Sequence, residues 1–157
     1  MTISPSERIG LVDTNILVYR ADQDSTFHLP SVNLISRGLR GDISLCIAPQ
    51  NLTEFYAVMT NPKRVTNPIA SVDARVEIGR YFQSQNIRKI YQTADLMPKL
   101  LELIDKYPPT RQQIFDLQLI ATMLVNDITR IYTFNVKHFQ SYQEIEVIVP
   151  ESPELLP

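Results

Sequence analysis

The chain has 157 residues, of which 44% are apolar, with 4 Gly, 11 Pro and a single cysteine, Cys46. A chain of this length buries roughly 70% of its unfolded surface, so a core can form without disulfides. The sequence lacks GxGxxG, GxxxxGK[ST], GxSxG and HExxH, which excludes the usual signatures of dinucleotide binding, P-loop hydrolysis, α/β-hydrolase acylation and zincin chemistry. One Cys and two His cannot build the usual structural zinc site, so a catalytic site here would depend on oxygen ligands.

The net charge of −2 is unevenly distributed. Residues 61–92 hold six Lys and Arg against two Asp and Glu, a net charge of +4, so the rest of the chain carries −6. A charged segment is often only a solvated face, but this one is also a candidate for contact with nucleic acid.

The first ten residues are too polar for a signal peptide. The longest apolar run is far shorter than the roughly 20 residues that a membrane span requires. We therefore expect a cytoplasmic protein that makes no contact with a membrane.

The first half of the chain alternates between strand and helix signals. An apolar run leads into Asp13, after which apolar residues recur at helical spacing. Pro30 and Gly41 mark the start and end of a second helix, and Asn61 before Pro62 ends a third, because the residue before proline avoids the α region. The predicted elements are a strand at 9–12, a helix from 14, a helix over 29–40, a strand at 43–47 and a helix from 49 that stops before 61.

The second half begins with a linker-like segment at 61–71, after which we expect Ser71 and Thr93 to cap two helices. The predicted elements are a helix over 71–84, a strand at 87–91, a helix over 93–107, a helix over 113–126, a strand at 130–133, a short helical piece at 135–139 and a strand at 144–149. This alternation predicts an α/β fold with a mainly parallel central sheet and helices on both faces. We expect one domain over residues 1–150 and a loose C-terminal tail over 151–157.

Asp13 and Glu54 are two candidate site carboxylates in the first half of the chain. Asp13 stands at the carboxyl end of the first strand, which is where such sheets bind ligands. Aspartate is also a favoured helix N-cap, so a structural role for Asp13 is an open alternative. Glu54 lies opposite the apolar stripe of its helix, and periodicity alone predicts a solvent-facing side chain.

A third carboxylate points toward an apolar surface. Gln118, Thr122 and Asn126 define the predicted wet stripe of one helix, and Asp116 projects roughly 120° away from it. An inward carboxylate is costly unless it is paired, hydrogen-bonded or bound to a cation. Stabilisation by the helix dipole is the alternative explanation, since Asp116 lies in the first turn.

Three segments resemble the motifs of a known family. Residues 11–19 read LVDTNILVY, residues 51–55 read NLTEF and residues 115–121 read FDLQLIA; in order and spacing they resemble the first three motifs of the PIN domain family. Residues 60–68, TNPKRVTNP, resemble a segment common in the toxin ribonucleases of VapBC-type toxin–antitoxin pairs. The resemblance implies a three-layer α/β/α fold.

The resemblance also implies a metal-dependent endoribonuclease that is the toxin of a toxin–antitoxin pair. It assigns Asp13 and Asp116 as direct ligands of Mg²⁺ or Mn²⁺, and Glu54 as a ligand through water or as the group that orients the attacking water. Polar support of these carboxylates is assigned to Thr14, Asn15, Thr133 and Asn135. The implied partners are an RNA substrate, a cognate antitoxin and a second copy of the chain in a homodimer.

The fourth motif departs from the family pattern T-x-N-x-x-[DE]-F. Residues 133–139 read TFNVKHF, so His138 stands where the family has an acid. Three roles are open for His138: metal ligand, hydrogen-bond donor to a phosphate, or a residue that simply fills the position, which we favour. Three acids instead of four also favour one bound metal over two.

The basic segment supplies the candidate RNA contacts. Lys63 and Arg64 are predicted to follow the RNA backbone, because single-strand binding joins basic grooves to aromatic faces. Tyr56 and Tyr81 are candidate stacking surfaces, with core or rim packing as the favoured interpretation of each.

Two other classes of function are compatible with parts of the sequence. A non-catalytic PIN-fold module that binds RNA or a protein is favoured by His138. A phosphoacceptor domain or haloacid-type phosphatase also places Asp after its first strand, but it requires a second acid where this chain has Thr14 and Asn15.

Overall fold

The computed structural model describes residues 8–153. Its strands are β1 (Gly10–Val12), β2 (Leu45–Ile47), β3 (Ile87–Lys89), β4 (Arg130–Tyr132) and β5 (Glu146–Ile148). Its helices are α1 (Thr14–Ala21), α2 (His28–Arg40), α3 (Pro49–Met59), α4 (Ser71–Gln83), α5 (Leu96–Lys106), α6 (Gln113–Val125) and α7 (Val136–Phe139). Residues 1–7 of the opening segment and 154–157 of the expected tail lie outside the described residues.

The five strands form one sheet in the order β3-β2-β1-β4-β5, and each neighbouring pair is parallel. Leu11 in the central strand pairs with Cys46 on one side and Ile131 on the other. The predicted fold class is confirmed. The strands are shorter than the apolar runs that predicted them, because the residues at the ends of each run leave the ladder to enter loops.

Alternating side chains of the strands build a core on each face of the sheet. Leu11 and Cys46 point to the face covered by α5 and α6, whereas Val12, Leu45 and Ile47 point to the face covered by α1, α2 and α3. Successive residues of a strand face opposite sides, so both faces of a parallel sheet are apolar. The two cores fix the sheet between helical layers and thereby fix the loops at its carboxyl edge.

Two predicted helix caps are wrong. Ser71 is the first residue of α4, and Ala70 is the N-cap. The helix that Thr93 was expected to cap begins at Leu96 after Asp95, and the Thr93 hydroxyl oxygen accepts a 3.2 Å hydrogen bond from the Asp95 backbone N–H. Thr93 therefore stabilises a turn before the helix, a common use of its hydroxyl group.

The prediction of a wet stripe on α6 is also wrong, at Thr122. Thr122 is buried, and its hydroxyl donates a 3.0 Å hydrogen bond to the Gln118 carbonyl within the helix. A threonine can satisfy its own hydroxyl in this way, so its presence does not predict a solvated face. Although α6 is apolar on most sides, no helix among residues 8–153 is long and apolar enough to cross a lipid bilayer.

Candidate active site

The candidate site lies at the carboxyl edge of the sheet, beside the central strand. From β1 the chain adds β2 and β3 on one side, and later places β4 on the other, so the strand order reverses between β1 and β4. Parallel sheets bind ligands in the crevice outside such a reversal. Asp13 follows β1, Thr133 follows β4, and their side chains are hydrogen-bonded across this crevice.

Asp13 is a carboxylate with 8% of its surface exposed. Its Oδ1 accepts a 2.8 Å hydrogen bond from the Thr14 N–H, and its Oδ2 accepts one of 2.7 Å from the Thr133 hydroxyl. Burial is the main reason why its pKa is raised to about 6; the two hydrogen bonds oppose the rise, and the charges of Glu54 and Asp116 add to it. Asp13 is also the N-cap of α1, so it serves the fold and faces the cleft at once.

Glu54 reaches the same cleft from α3. Its Oε2 accepts a 2.9 Å hydrogen bond from the Thr14 hydroxyl, and its Oε1 accepts one of 3.0 Å from Gln50 Nε2. Asn51, fully buried on the same helix, donates a 3.3 Å hydrogen bond from Nδ2 to Thr14 Oγ1. Thr14, the residue next to Asp13, is therefore hydrogen-bonded to two side chains of α3, and its hydroxyl holds the Glu54 carboxylate in place.

Asp116 enters the cleft from the first turn of α6 and is half-buried there. Burial raises the pKa of Asp116; His138 opposes the rise and Glu54 adds to it. His138 Nδ1 lies 3.5 Å from Asp116 Oδ2, and the imidazole is 59% exposed. His138 is thus a polar neighbour of Asp116 at the mouth of the cleft.

Thr133 is the centre of a hydrogen-bond network that holds Asp13. Its Oγ1 donates to Asp13 and accepts from Asn15 Nδ2 at 3.2 Å and from the Asn135 backbone N–H at 3.0 Å. Asn135 contributes to this network through its main chain. The four supporting residues that the resemblance implied therefore lie around the carboxylates, with Thr14 bound to Glu54 and the other three grouped at Asp13.

The three carboxylates line one cleft of about 1160 Å³. Basic residues Arg64, Arg111 and Lys137 line the same cleft. Lys63 lies outside it, and within the described chain Arg64 is the only basic residue of the 61–92 segment that lines it. The cleft thus combines an acidic floor with a basic rim.

Sequence reasoning missed Arg111 and Lys137. Arg111 lies in the loop between α5 and α6 with a φ of 50°, in the left-handed region that costs a non-glycine residue on the order of 1 kcal/mol. No motif or period marks Arg111. Lys137 stands inside the fourth motif segment, and its place next to His138 is the one signal that would have found it.

The two candidate stacking tyrosines have different environments. Tyr81 is buried, with its hydroxyl accepting a 2.9 Å hydrogen bond from Arg20 Nη1, so the favoured interpretation as a packing residue is confirmed and Tyr81 offers no stacking surface. The inner face of α4 packs onto α3 and encloses this ring. Tyr56 is partly exposed and donates a 2.8 Å hydrogen bond to Ser71 Oγ.

The donor set is chemically suited to a hard divalent cation. All three acidic groups offer oxygen ligands, and the charges of Glu54 and Asp116 oppose ionisation of Asp13, a repulsion that a cation would relieve. Among residues 8–153, no three His, Cys, Asp or Glu side chains converge closely enough to enclose a metal ion. Mg²⁺ typically uses one or two protein carboxylates with several waters, and an open cleft with separated carboxylates fits that mode.

The fold and site define an α/β protein with an acidic cleft at the switch point of a parallel sheet. A family model described as "PIN domain" matches residues 10–144. The chain belongs to the PIN domain family. None of the curated proteins matches it.

Solved structures share this fold at low sequence identity. VapC20 from Mycobacterium tuberculosis, described as a "Sarcin-Ricin loop cleaving toxin", is 17% identical with a TM-score of 0.64, and the match covers 92% of this chain and 99% of the VapC20 chain. VapBC2 from Rickettsia felis, bound to a promoter DNA fragment, is 16% identical with a TM-score of 0.63, and the match covers 91% of this chain and 99% of the VapBC2 chain. A chain of a toxin–antitoxin complex from Klebsiella pneumoniae is 15% identical with a TM-score of 0.59, and the match covers 91% of this chain and 98% of that chain.

Proposed function

We propose that this chain is a metal-dependent endoribonuclease that hydrolyses phosphodiester bonds in RNA. The catalytic carboxylates in this proposal are Asp13, Glu54 and Asp116. One observation carries it: three carboxylates from three different helical segments, the N-cap of α1, the middle of α3 and the first turn of α6, line a single cleft at the switch point of the sheet. Two of them have raised pKa values, a feature typical of functional sites.

The chemistry divides between the cation and the side chains. When bound at these carboxylates, Mg²⁺ or Mn²⁺ would supply charge neutralisation for the phosphate and activation for the attacking water. In our proposal Asp13 and Asp116 are its direct ligands. Glu54 orients the attacking water or binds the metal through a water, and its hydrogen bonds to Thr14 and Gln50 fix the direction of its carboxylate.

The basic rim overcomes the repulsion between the acidic floor and an anionic strand. Arg64, Arg111 and Lys137 line the cleft within which the carboxylates lie, so they are the proposed contacts to the RNA backbone. Such contacts position the strand without reading its sequence. Lys63, predicted for the same role, lies outside the cleft and is not part of this proposal.

We also infer that the chain is the toxin of a toxin–antitoxin pair and acts in the cytoplasm. The support is family membership together with the names of the similar structures, one of which is called a cleaving toxin and another a toxin–antitoxin complex. The partners in this proposal are RNA, a cognate antitoxin and a second copy of the chain.

A second candidate function is a non-catalytic module that binds RNA or a protein. The observation that favours it is His138, which stands 3.5 Å from Asp116 where the family has an acid. Loss of one carboxylate lowers the negative charge available to hold a cation. The module predicts RNA binding without cleavage under any metal condition.

The test is cleavage of an end-labelled, single-stranded RNA by the purified protein in Mn²⁺, in Mg²⁺ and in EDTA. We expect cleavage in either metal, none in EDTA, and a loss of at least about 100-fold in Asp116→Asn. Asp105→Asn, an exposed aspartate on α5 outside the cleft, is the matched control and should cleave like wild type. Binding without cleavage in both metals would instead establish the non-catalytic module.

A further inference from the structure

A second pocket, here called the side pocket, opens beside the acidic cleft. Its volume is about 610 Å³, and it lies between the start of α3, the segment after β3 and one side of α6. The residues that define it are Gln50, Tyr91, Gln92, Phe115, Gln118 and Thr122. The proposed phosphodiester hydrolysis gives this pocket no role.

The chemistry of the side pocket differs from that of the cleft. Two aromatic rings border it, with Tyr91 50% and Phe115 54% exposed. Three glutamine amides line it, and Glu54 is the only charged side chain among the described residues that do so. A pocket of this kind suits a flat, uncharged ligand with hydrogen-bonding edges, and it is unsuited to a phosphate group.

The side pocket is continuous with the cleft. Glu54 and Phe115 line both. Gln50 spans the boundary: its Nε2 donates a 3.0 Å hydrogen bond to Glu54 Oε1 and a 3.4 Å hydrogen bond to the Phe115 carbonyl. A ligand that extends from the carboxylates therefore reaches the aromatic rings without leaving the surface.

One polar atom at this boundary lacks a partner. Gln50 Oε1 is a buried acceptor without a hydrogen-bond partner among the described residues. Buried polar groups are nearly always paired, and an unpaired one costs about 1–3 kcal/mol. Rotation of the Gln50 side chain would open this oxygen to the side pocket, where an N–H donor from a ligand beside Glu54 would supply the missing bond.

We propose that the side pocket binds one unpaired nucleobase of the RNA strand whose phosphate lies in the acidic cleft. Tyr91 and Phe115 are the stacking surfaces, and the amides of Gln50, Gln92 and Gln118 contact the base edge. Recognition of splayed-out bases by aromatic faces and edge hydrogen bonds is the usual way in which single-stranded RNA is read. The inference rests on the proposed function and makes these five residues determinants of sequence preference.

An apolar side chain from a protein partner is a poorer occupant. It would cover the three glutamine amides without offering them donors or acceptors, and unpaired polar groups at an interface lower affinity. A base satisfies the rings and the amides together.

The experiment compares two labelled probes in EDTA, where cleavage is absent. The probes are RNA decamers of one length and charge, a mixed-sequence decamer and a fully abasic decamer. We expect wild type to bind the base-bearing decamer at least about tenfold more tightly, because stacking of one base contributes enough for such a factor. Phe115→Ala and Tyr91→Ala should lose most of this preference while they keep the affinity for the abasic decamer.

Phe82→Ala is the matched control, since Phe82 is a 56% exposed phenylalanine on α4 outside both pockets. It should keep the preference, and thermal melts should show all three variants folded. Gln118→Leu should change the relative affinity for oligoadenylate and oligouridylate decamers while the abasic affinity stays constant.

Equal binding of both probes by wild type, or a preference that survives in Phe115→Ala and Tyr91→Ala, would overturn the proposal. So would a loss in these variants of self-association or of partner-protein binding with base preference unchanged. Cleavage by wild type in Mn²⁺ is scored separately. Cleavage with no base preference rejects the side pocket alone, whereas base preference with no cleavage rejects the nuclease alone.

Discussion

The Thr133 hydroxyl donates a 2.7 Å hydrogen bond to Asp13 Oδ2 across the gap between the ends of β4 and β1. The two residues are 120 positions apart in the chain, and both are buried. The same oxygen accepts from Asn15 Nδ2 and from the Asn135 N–H, so one hydroxyl fixes a carboxylate and two neighbouring segments. Groups that orient a metal-binding carboxylate commonly contribute 10–100-fold to activity.

Thr133→Val removes this hydroxyl with little change in shape. We expect RNA cleavage to fall about 10–100-fold, because the carboxylate loses its donor, and stability to fall by about 1 kcal/mol, because the part-buried N–H groups of Asn15 and Asn135 lose their acceptor. Cleavage kinetics and urea unfolding measure the two effects. Thr133→Ser keeps the hydroxyl and should retain most of the activity; equal loss in both variants would contradict the role of the hydroxyl.

Asp13 should make the metal-free protein less stable at neutral pH. Its pKa is raised from 3.8 to about 6 in the folded state, so folding favours the protonated form. The contribution of Asp13 to the free energy of unfolding is therefore most favourable below about pH 4. It falls by on the order of 3 kcal/mol in total as the pH rises toward 6 and above.

The measurement is urea unfolding in EDTA from pH 4 to 7.5, for wild type and Asp13→Asn. The difference in unfolding free energy should shift in favour of the variant as the pH rises through this window. Parallel curves would show that Asp13 carries no penalty. At pH 7.5 Mn²⁺ should stabilise wild type and leave Asp13→Asn nearly unchanged, because only a ligand bound to the folded state adds stability.

The basic rim should contribute to RNA affinity through phosphate contacts. In an Asp116→Asn background, which prevents cleavage, Arg64→Ala, Arg111→Ala and Lys137→Ala should each weaken decamer binding at low salt. Each should also reduce the slope of log affinity against log salt by about 0.7, the value for one phosphate contact on a single strand. Lys63→Ala is the control outside the cleft, and an effect as large as that of Arg64→Ala would contradict the assignment.

His138 should set the number and strength of bound cations. Titration calorimetry with Mn²⁺ should give one equivalent for wild type. His138→Asp places a second carboxylate beside Asp116 and should tighten Mn²⁺ binding by about tenfold, because affinity for hard cations rises with ligand charge. His138→Asn is the neutral control. Two equivalents in wild type, or unchanged affinity in His138→Asp, would reject this prediction.

The topology was predictable because local patterns determine it. Alternating apolar runs and helical periods predict parallel βαβ units, and a parallel sheet brings the residues after each strand to one edge. Asp13 could be placed at this edge from the sequence alone. Helix starts were less predictable, because at Ser71 and Thr93 a good capping residue has a different hydrogen-bond role.

Other parts of the site depend on contacts between distant segments. The period of α3 predicts which side of this helix packs into the core. It does not predict the partner of Glu54 in the cleft, which is Thr14, 40 residues away in the chain. Arg111 reaches the cleft through a left-handed turn that no period reveals. The side pocket requires α3, α6 and the segment after β3 to meet, and only the assembled fold specifies that.

The most direct test of the central claim is a double-mutant cycle on cleavage. Single-turnover rates in Mn²⁺ are measured for wild type, Asp13→Asn, Asp116→Asn and the double variant. If both carboxylates act on one metal, the double variant should cleave no more slowly than the slower single variant, because residues that act as a unit are not additive. Losses that multiply, or a wild type that cleaves no RNA in Mn²⁺, would contradict the account.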